Sequence, residues 1–167
     1  MRAMEGLWER LIEILEQESA LYRDIFELSK HKTNTIVEGK VTELEQLTGV
    51  EQKMLLGIGN LEQQREEAVN QLARHLDVPA DQFNISLAIK KAGEDLQDKF
   101  AGLKDEISSI LKELKEVNDL NSQLIEKSLE YIDFSINLIA GDLPDITYNA
   151  KKSGGKDKGG SFFDQKV

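Results

Sequence analysis

Cysteine is absent from the 167 residues, which removes disulfides, thiolate metal sites and cysteine nucleophiles together. Histidine is scarce: His31 and His75 lie far apart. A carboxylate-bridged metal centre in a helical bundle draws on Glu-x-x-His pairs. The chain has none; Glu27 and His31, four apart, read as a structural or solvated helix-face pair. Proline occurs only at Pro79 and Pro144 and aromatics make up 6%, a composition that suits long helices and argues against a sheet. No apolar run approaches the roughly 18 residues that a bilayer span requires. The first residues, Met1 to Trp8, are amphipathic and lack the apolar core and cleavage site of a signal peptide, so the expected location is the cytoplasm.

Positive charge is also in deficit. Acidic residues number 31 against 21 basic ones, a net charge of -10 that repels nucleic acids and anionic membranes. The lysines of the helical part are scattered rather than gathered into a patch, so neither nucleic acid nor direct membrane insertion is expected. Gly154-Gly155-Lys156 lacks both the earlier glycine and the preceding strand of a phosphate loop. Asn84-Ile85-Ser86 fits a glycosylation pattern that a cytoplasmic chain does not use. The many carboxylates read as solvated helix faces. No catalytic constellation, cofactor site or metal site emerges, and the expectation is a binding protein rather than an enzyme.

What is present is helical periodicity. Met4, Leu7, Leu11, Ile14, Glu18, Leu21, Ile25 and Leu28 step by threes and fours, with Glu18 the one polar intruder. Trp8, Ile12, Leu15, Tyr22 and Phe26 widen the stripe enough for two neighbours, in a helix over about 4–32. Periodicity weakens from His31 to Lys40 around Gly39, where a short helix running into the next is compatible with Ile36, Val37 and Val41. Thr42-Glu43-Leu44-Glu45 has the form of a capping box. Leu44, Leu47, Met54, Ile58, Leu61, Ala68 and Leu72 form a second long stripe that ends near His75, before Pro79. Gly57 and Gly59 weaken it locally.

Residues 80–93 predict a short connecting helix with Gly93 as its breaker. Phe100, Leu103, Ile107, Ile110, Leu114 and Val117 then open a third long helix, which ends near Ala140-Gly141. Past Val117 the steps become fours through Asn121, Ile125 and Leu129, which turns the seam around the helix. The fold class is all-α: an elongated antiparallel bundle or coiled coil of three long helices, with a short connecting helix and a flexible C-terminal tail. That tail, rich in glycine and lysine from Lys151 to Gly160, cannot bury a core, yet it ends with Phe162 and Phe163 side by side.

Asn121 is the polar residue on the third seam. Such a residue fixes register at a cost in stability, or marks where the seam meets a partner that changes. The third helix is longer than the first can cover, so Leu124, Ile125, Leu129, Ile132 and Ile136 are either core against the first helix or an open apolar stripe. Core packing is the first expectation and an open stripe the second.

These features resemble the FlgN family of flagellar export chaperones over nearly the whole chain. The carriers are the amphipathic first helix, Leu61-Glu62-Gln63-Gln64-Arg65, and Asn118-Asp119-Leu120-Asn121 followed by Leu124-Ile125. In the tail, Tyr148-Asn149-Ala150-Lys151-Lys152 is similar to a short Tyr-Gly-type motif, with Asn149 in place of the usual glycine. Ser161-Phe162-Phe163-Asp164-Gln165 is similar to the endings of many Gram-positive members. The resemblance implies a cytoplasmic chaperone domain over 1–142 and a docking tail over 143–167. It implies hook-associated (filament-junction) proteins as clients, bound by a terminal helical segment, and delivery to the membrane protein of the flagellar type III export gate. Client binding falls on Asn121, Leu124, Ile125, Leu129 and Ile132, and exporter docking on Tyr148. The expected state is a monomer or weak dimer, and the rival reading is a self-associating coiled-coil structural or adaptor protein.

Overall fold

The computed structural model describes residues 2–140. Four helices account for most of them: α1 Arg2–Glu38, α2 Val41–His75, α3 Ile85–Lys91 and α4 Glu94–Ala140, with a 3-10 turn at Ala80–Gln82 before α3. No strand occurs among the described residues, as the periodicity predicts.

α1 is the central helix. α2 and α4 each run along it, while their own backbones do not approach one another as closely. The widened stripe of α1 therefore serves two neighbours, as its width predicts. α2 runs antiparallel to α1, which pairs Glu18 with Arg65 and Lys32 with Glu51. α4 returns parallel to α1, so Trp8 meets Phe100 near one end and Thr33 meets Asn121 near the other.

The core is thickest where all four helices converge. Trp8, Leu11, Leu15, Leu72, Phe83, Ala88, Phe100 and Ile107 are buried there together. The Trp8 ring packs edge-on to Phe100 at 5.7 Å between centroids and tilts against Phe83 at 6.1 Å, geometries that add to simple burial. A thinner second cluster joins Ile25, Ile58 and Leu114. α3 is capped by Asn84, whose Oδ1 accepts from the Leu87 backbone N–H at 2.8 Å. The asparagine of the glycosylation pattern is thus a helix cap here.

The helix ends explain two departures from the periodic reading. α1 does not stop near residue 32 but continues to Glu38, absorbing the short helix expected around Ile36. It ends where Gly39 takes a left-handed φ of 70°. There the Gly39 N–H donates to the Ile36 carbonyl and the Lys40 N–H to the Thr35 carbonyl, a Schellman closure. That turn begins α2 at Val41 with Lys40 as its N-cap and no side-chain cap, so Thr42 lies inside the helix and its capping-box reading is wrong. α2 ends at His75 as expected, by the same closure, with Asp77 in the left-handed position at φ 54°.

Candidate functional site

Two polar devices sit on the seams of α1. The intruder Glu18 is fully buried, and both its carboxylate oxygens accept from Arg65 Nη1, at 2.9 and 2.7 Å. Burial raises the Glu18 pKa, opposed by the Arg65 charge and hydrogen bond and reinforced by Glu62. The same burial, with the negative charges of Glu18 and Glu62, pushes the Tyr22 hydroxyl up to about 12.

The second device is Asn121. It is buried, its Nδ2 donates to the Ser29 carbonyl at 3.0 Å, and its Oδ1 accepts from the Thr33 hydroxyl at 2.5 Å. Asn121 is the last buried residue of α4. Immediately past it the packing changes character. Ile125, Leu129, Ile132 and Ile136 are each between 40% and 50% exposed, and Leu124 is half-buried. The first expectation for these residues, core against α1, is therefore overturned.

The cause is a difference in helix length. α1 has 37 residues and α4 has 47. α1 ends five residues after Thr33, the partner of Asn121, whereas α4 continues to Ala140. At 1.5 Å per residue, α4 projects roughly 20 Å past the end of α1.

The projection keeps the chemistry of a buried helix. At about 100° per residue, Ile125, Leu129, Ile132, Ile136 and Ile139 continue the line of Leu103, Ile107, Ile110 and Leu114 that faces α1. A second row of Leu120, Leu124, Tyr131, Phe134 and Leu138 flanks it, so the apolar arc spans about 220° of the helix. Tyr131, Phe134 and Leu138 are each at least 60% exposed. Polar Ser122, Gln123, Glu126, Glu130, Asp133 and Asn137 are confined to the rest of the circumference. Two serines within the apolar arc spend their hydroxyls on their own helix: Ser128 donates to the Leu124 carbonyl and Ser135 to the Tyr131 carbonyl, both at 2.9 Å. The face is thus wide and largely apolar, with Lys127 the one charged residue on its second row.

The second row was not singled out in the sequence, although a second three–four series starting at Leu120 carries the signal. The partners of Asn121 on α1 carry no sequence signal, since they lie 88 and 92 residues away. Asn121, Ile125, Leu129 and Ile132 lie in one row along α4, and Leu124 lies in the row beside it. Tyr148, and with it the tail from 143 to 167, lies outside the described residues. Among the described residues no group of three or more His, Cys, Asp or Glu side chains is placed to hold a metal ion, and no helix is long and apolar enough to cross a membrane.

The body is helical, and its longest helix carries its core face beyond its intramolecular partners. A family model described as FlgN protein matches residues 1–154, and the chain belongs to the FlgN family. Its class is accordingly that of the flagellar export chaperones. The chain is also 26% identical over 139 residues to an uncharacterized protein of Bacillus subtilis (strain 168), YvyG, covering 83% of this chain and 84% of that protein. No solved structure matches.

Proposed function

We propose that the chain is a cytoplasmic export chaperone that binds the terminal helical segment of hook-associated proteins. The observation that carries this reading is the open end of α4, where the core face continues without an intramolecular partner. A client helix laid on Leu124, Ile125, Leu129 and Ile132 extends the seam that α1 leaves unfinished; Asn121, buried and bonded to α1, closes that seam and does not meet the client. Covering the client segment there prevents its premature assembly. Tyr148, in the tail, then docks the loaded chaperone on the membrane protein of the export gate. No catalytic step is required of any residue.

The test is size-exclusion chromatography of the full chain with a client's terminal helical fragment. A one-to-one complex is expected. Leu124→Asp and Ile125→Asp should each abolish it while the circular dichroism spectrum keeps its helical signal. Undiminished binding by both variants overturns the assigned face. Light scattering addresses the rival: a tight dimer that buries the α4 face favours a self-associating coiled coil.

A further inference from the structure

We propose that, when no client is bound, the Phe162-Phe163 end of the same chain occupies the open face of α4. Three observations converge on this occupant. The first is the surface: Ile125, Leu129, Ile132 and Ile136 form a half-exposed row on the side of α4 that is elsewhere core. Two adjacent phenylalanines preceded by Gly159, Gly160 and Ser161 are apolar enough to fill part of such a row and unhindered enough to lie flat on it.

The second is reach. The tail leaves from Ala140, the end of the very helix that carries the face. A glycine-rich coil spans about 5–6 Å times the square root of its length, so a coil as long as the stretch from Ala140 to Phe162 would span about 26 Å. Measured back along α4 at 1.5 Å per residue, that distance ends at the level of Gln123 and Leu124, roughly where the open face begins. A tether whose mean span matches the distance to its site gives the highest effective concentration, in the millimolar range.

The third is charge. Lys151, Lys152, Lys156 and Lys158 outnumber Asp157 between residues 151 and 160, with Asp142 and Asp145 nearer Ala140, while the polar edge of projecting α4 carries Glu126, Glu130 and Asp133 against Lys127, which pairs with Glu130 at 3.5 Å. The signs attract at short range. A second copy of the chain is the weaker occupant, because two bodies of net charge -10 repel.

Docking of this kind shields the face before a client arrives and yields to it on binding. That regulatory consequence rests on the client-binding reading; the docking itself does not. Two rings held at millimolar effective concentration compete with a client by about two- to tenfold in affinity.

Because the chain has no cysteine, Ser161→Cys gives a single attachment point for a nitroxide on the full chain. The methyl signals of Ile125, Leu129 and Ile132 are expected to be lost by paramagnetic broadening, and those of Leu11 and Ile107 to persist. Adding Phe162→Ala and Phe163→Ala should restore the lost signals. No broadening, or broadening that persists in the alanine variant, overturns the docking. Broadening seen only between separate labelled and observed chains assigns the face to a second copy and overturns it equally. In a second arm, the alanine variant should bind a client fragment about two- to tenfold tighter than the native tail. Unchanged affinity refutes competition; a fragment that binds neither form refutes the client reading and leaves the methyl result to decide the docking alone.

Discussion

Asn121 of α4 and Ser29 of α1 are joined by a buried hydrogen bond of 3.0 Å across 92 residues of sequence, at the point where the shared seam of the two helices ends. The Thr33 hydroxyl completes the pair of contacts by donating to the Asn121 carboxamide oxygen, with the Ser29 carbonyl as its more distant alternative acceptor at 3.2 Å. Asn121→Ala removes both contacts and should lower stability by about 1–2 kcal/mol. Asn121→Leu, which refills the volume with apolar atoms, should cost less. Urea denaturation of the two variants distinguishes these outcomes.

The buried Glu18 gives stability a definite pH dependence. Its folded pKa lies above the ordinary value because burial disfavours the charged form. Just above that ordinary value the native state holds more protons than the unfolded chain, so this group's contribution falls as pH rises. Glu18→Gln should remove that downward slope. Arg65→Met leaves the carboxylate without its bidentate cation and should cost about 3–5 kcal/mol at neutral pH. Its cost at acid pH should be smaller, because a protonated Glu18 is easier to bury. Equal losses at both pH values would falsify this assignment of the pair.

Tyr22 extends the same logic to alkali. With its hydroxyl pushed up to about 12 from an ordinary 10.0, the folded state keeps the proton that the unfolded chain releases. Stability should therefore fall from pH 10 to pH 12, by no more than about 1–2 kcal/mol from this group because its partial exposure screens the effect. Tyr22→Phe should remove that part of the decline. Thermal melts of both proteins across the range, compared by difference, provide the measurement.

Gly39 offers a test of backbone strain alone. Its φ of 70° disfavours any residue with a Cβ, yet an added Cβ would meet no atom within 4 Å. Gly39→Ala should cost about 1–2 kcal/mol, all of it conformational. Chemical denaturation should show a lower midpoint with an unchanged denaturant slope.

Stability and binding should separate along α4. Leu114 is buried in the second cluster, and Leu114→Ala should cost about 2–4 kcal/mol. Leu129 is 48% exposed, and Leu129→Ser should change stability by no more than about 0.5 kcal/mol. The same Leu129→Ser change should weaken client capture on size-exclusion chromatography. A large loss of melting temperature in Leu129→Ser would place that residue in the fold instead.

Much of this architecture was legible in the chain. The three long stripes, the breadth of the first one, and the helix ends near His75 and Ala140 all follow from periodicity and stop signals. The polar interruptions Glu18 and Asn121 were visible as exceptions, but their partners were not. Arg65, Ser29 and Thr33 meet them only through tertiary packing, which local pattern does not encode. The end of α1 was misjudged because its last turns bury Thr35 beside Ile36 and so break the apolar spacing, while the backbone hydrogen bonds continue to the left-handed turn at Gly39. Thr42 misled for the same reason, since that closure starts α2 before the threonine. Whether Ile125 and Leu129 were core or open depended on the register of α4 against α1, which the pairing of Asn121 with Thr33 sets and local pattern does not encode.

The two-residue hairpin at Gly39 and Lys40 thereby acts at a distance. It fixes how far α1 accompanies α4, and the aperture left for a visiting helix is the remainder between two lengths. No residue within the aperture sets its size. Lengthening α1 and α2 together by two heptads at this hairpin would roof the exposed row from within, and shortening them would open more of it. The length of α4 left uncovered is thus a property that can be adjusted by insertion and deletion at a distant turn, with the residues of the exposed row left untouched.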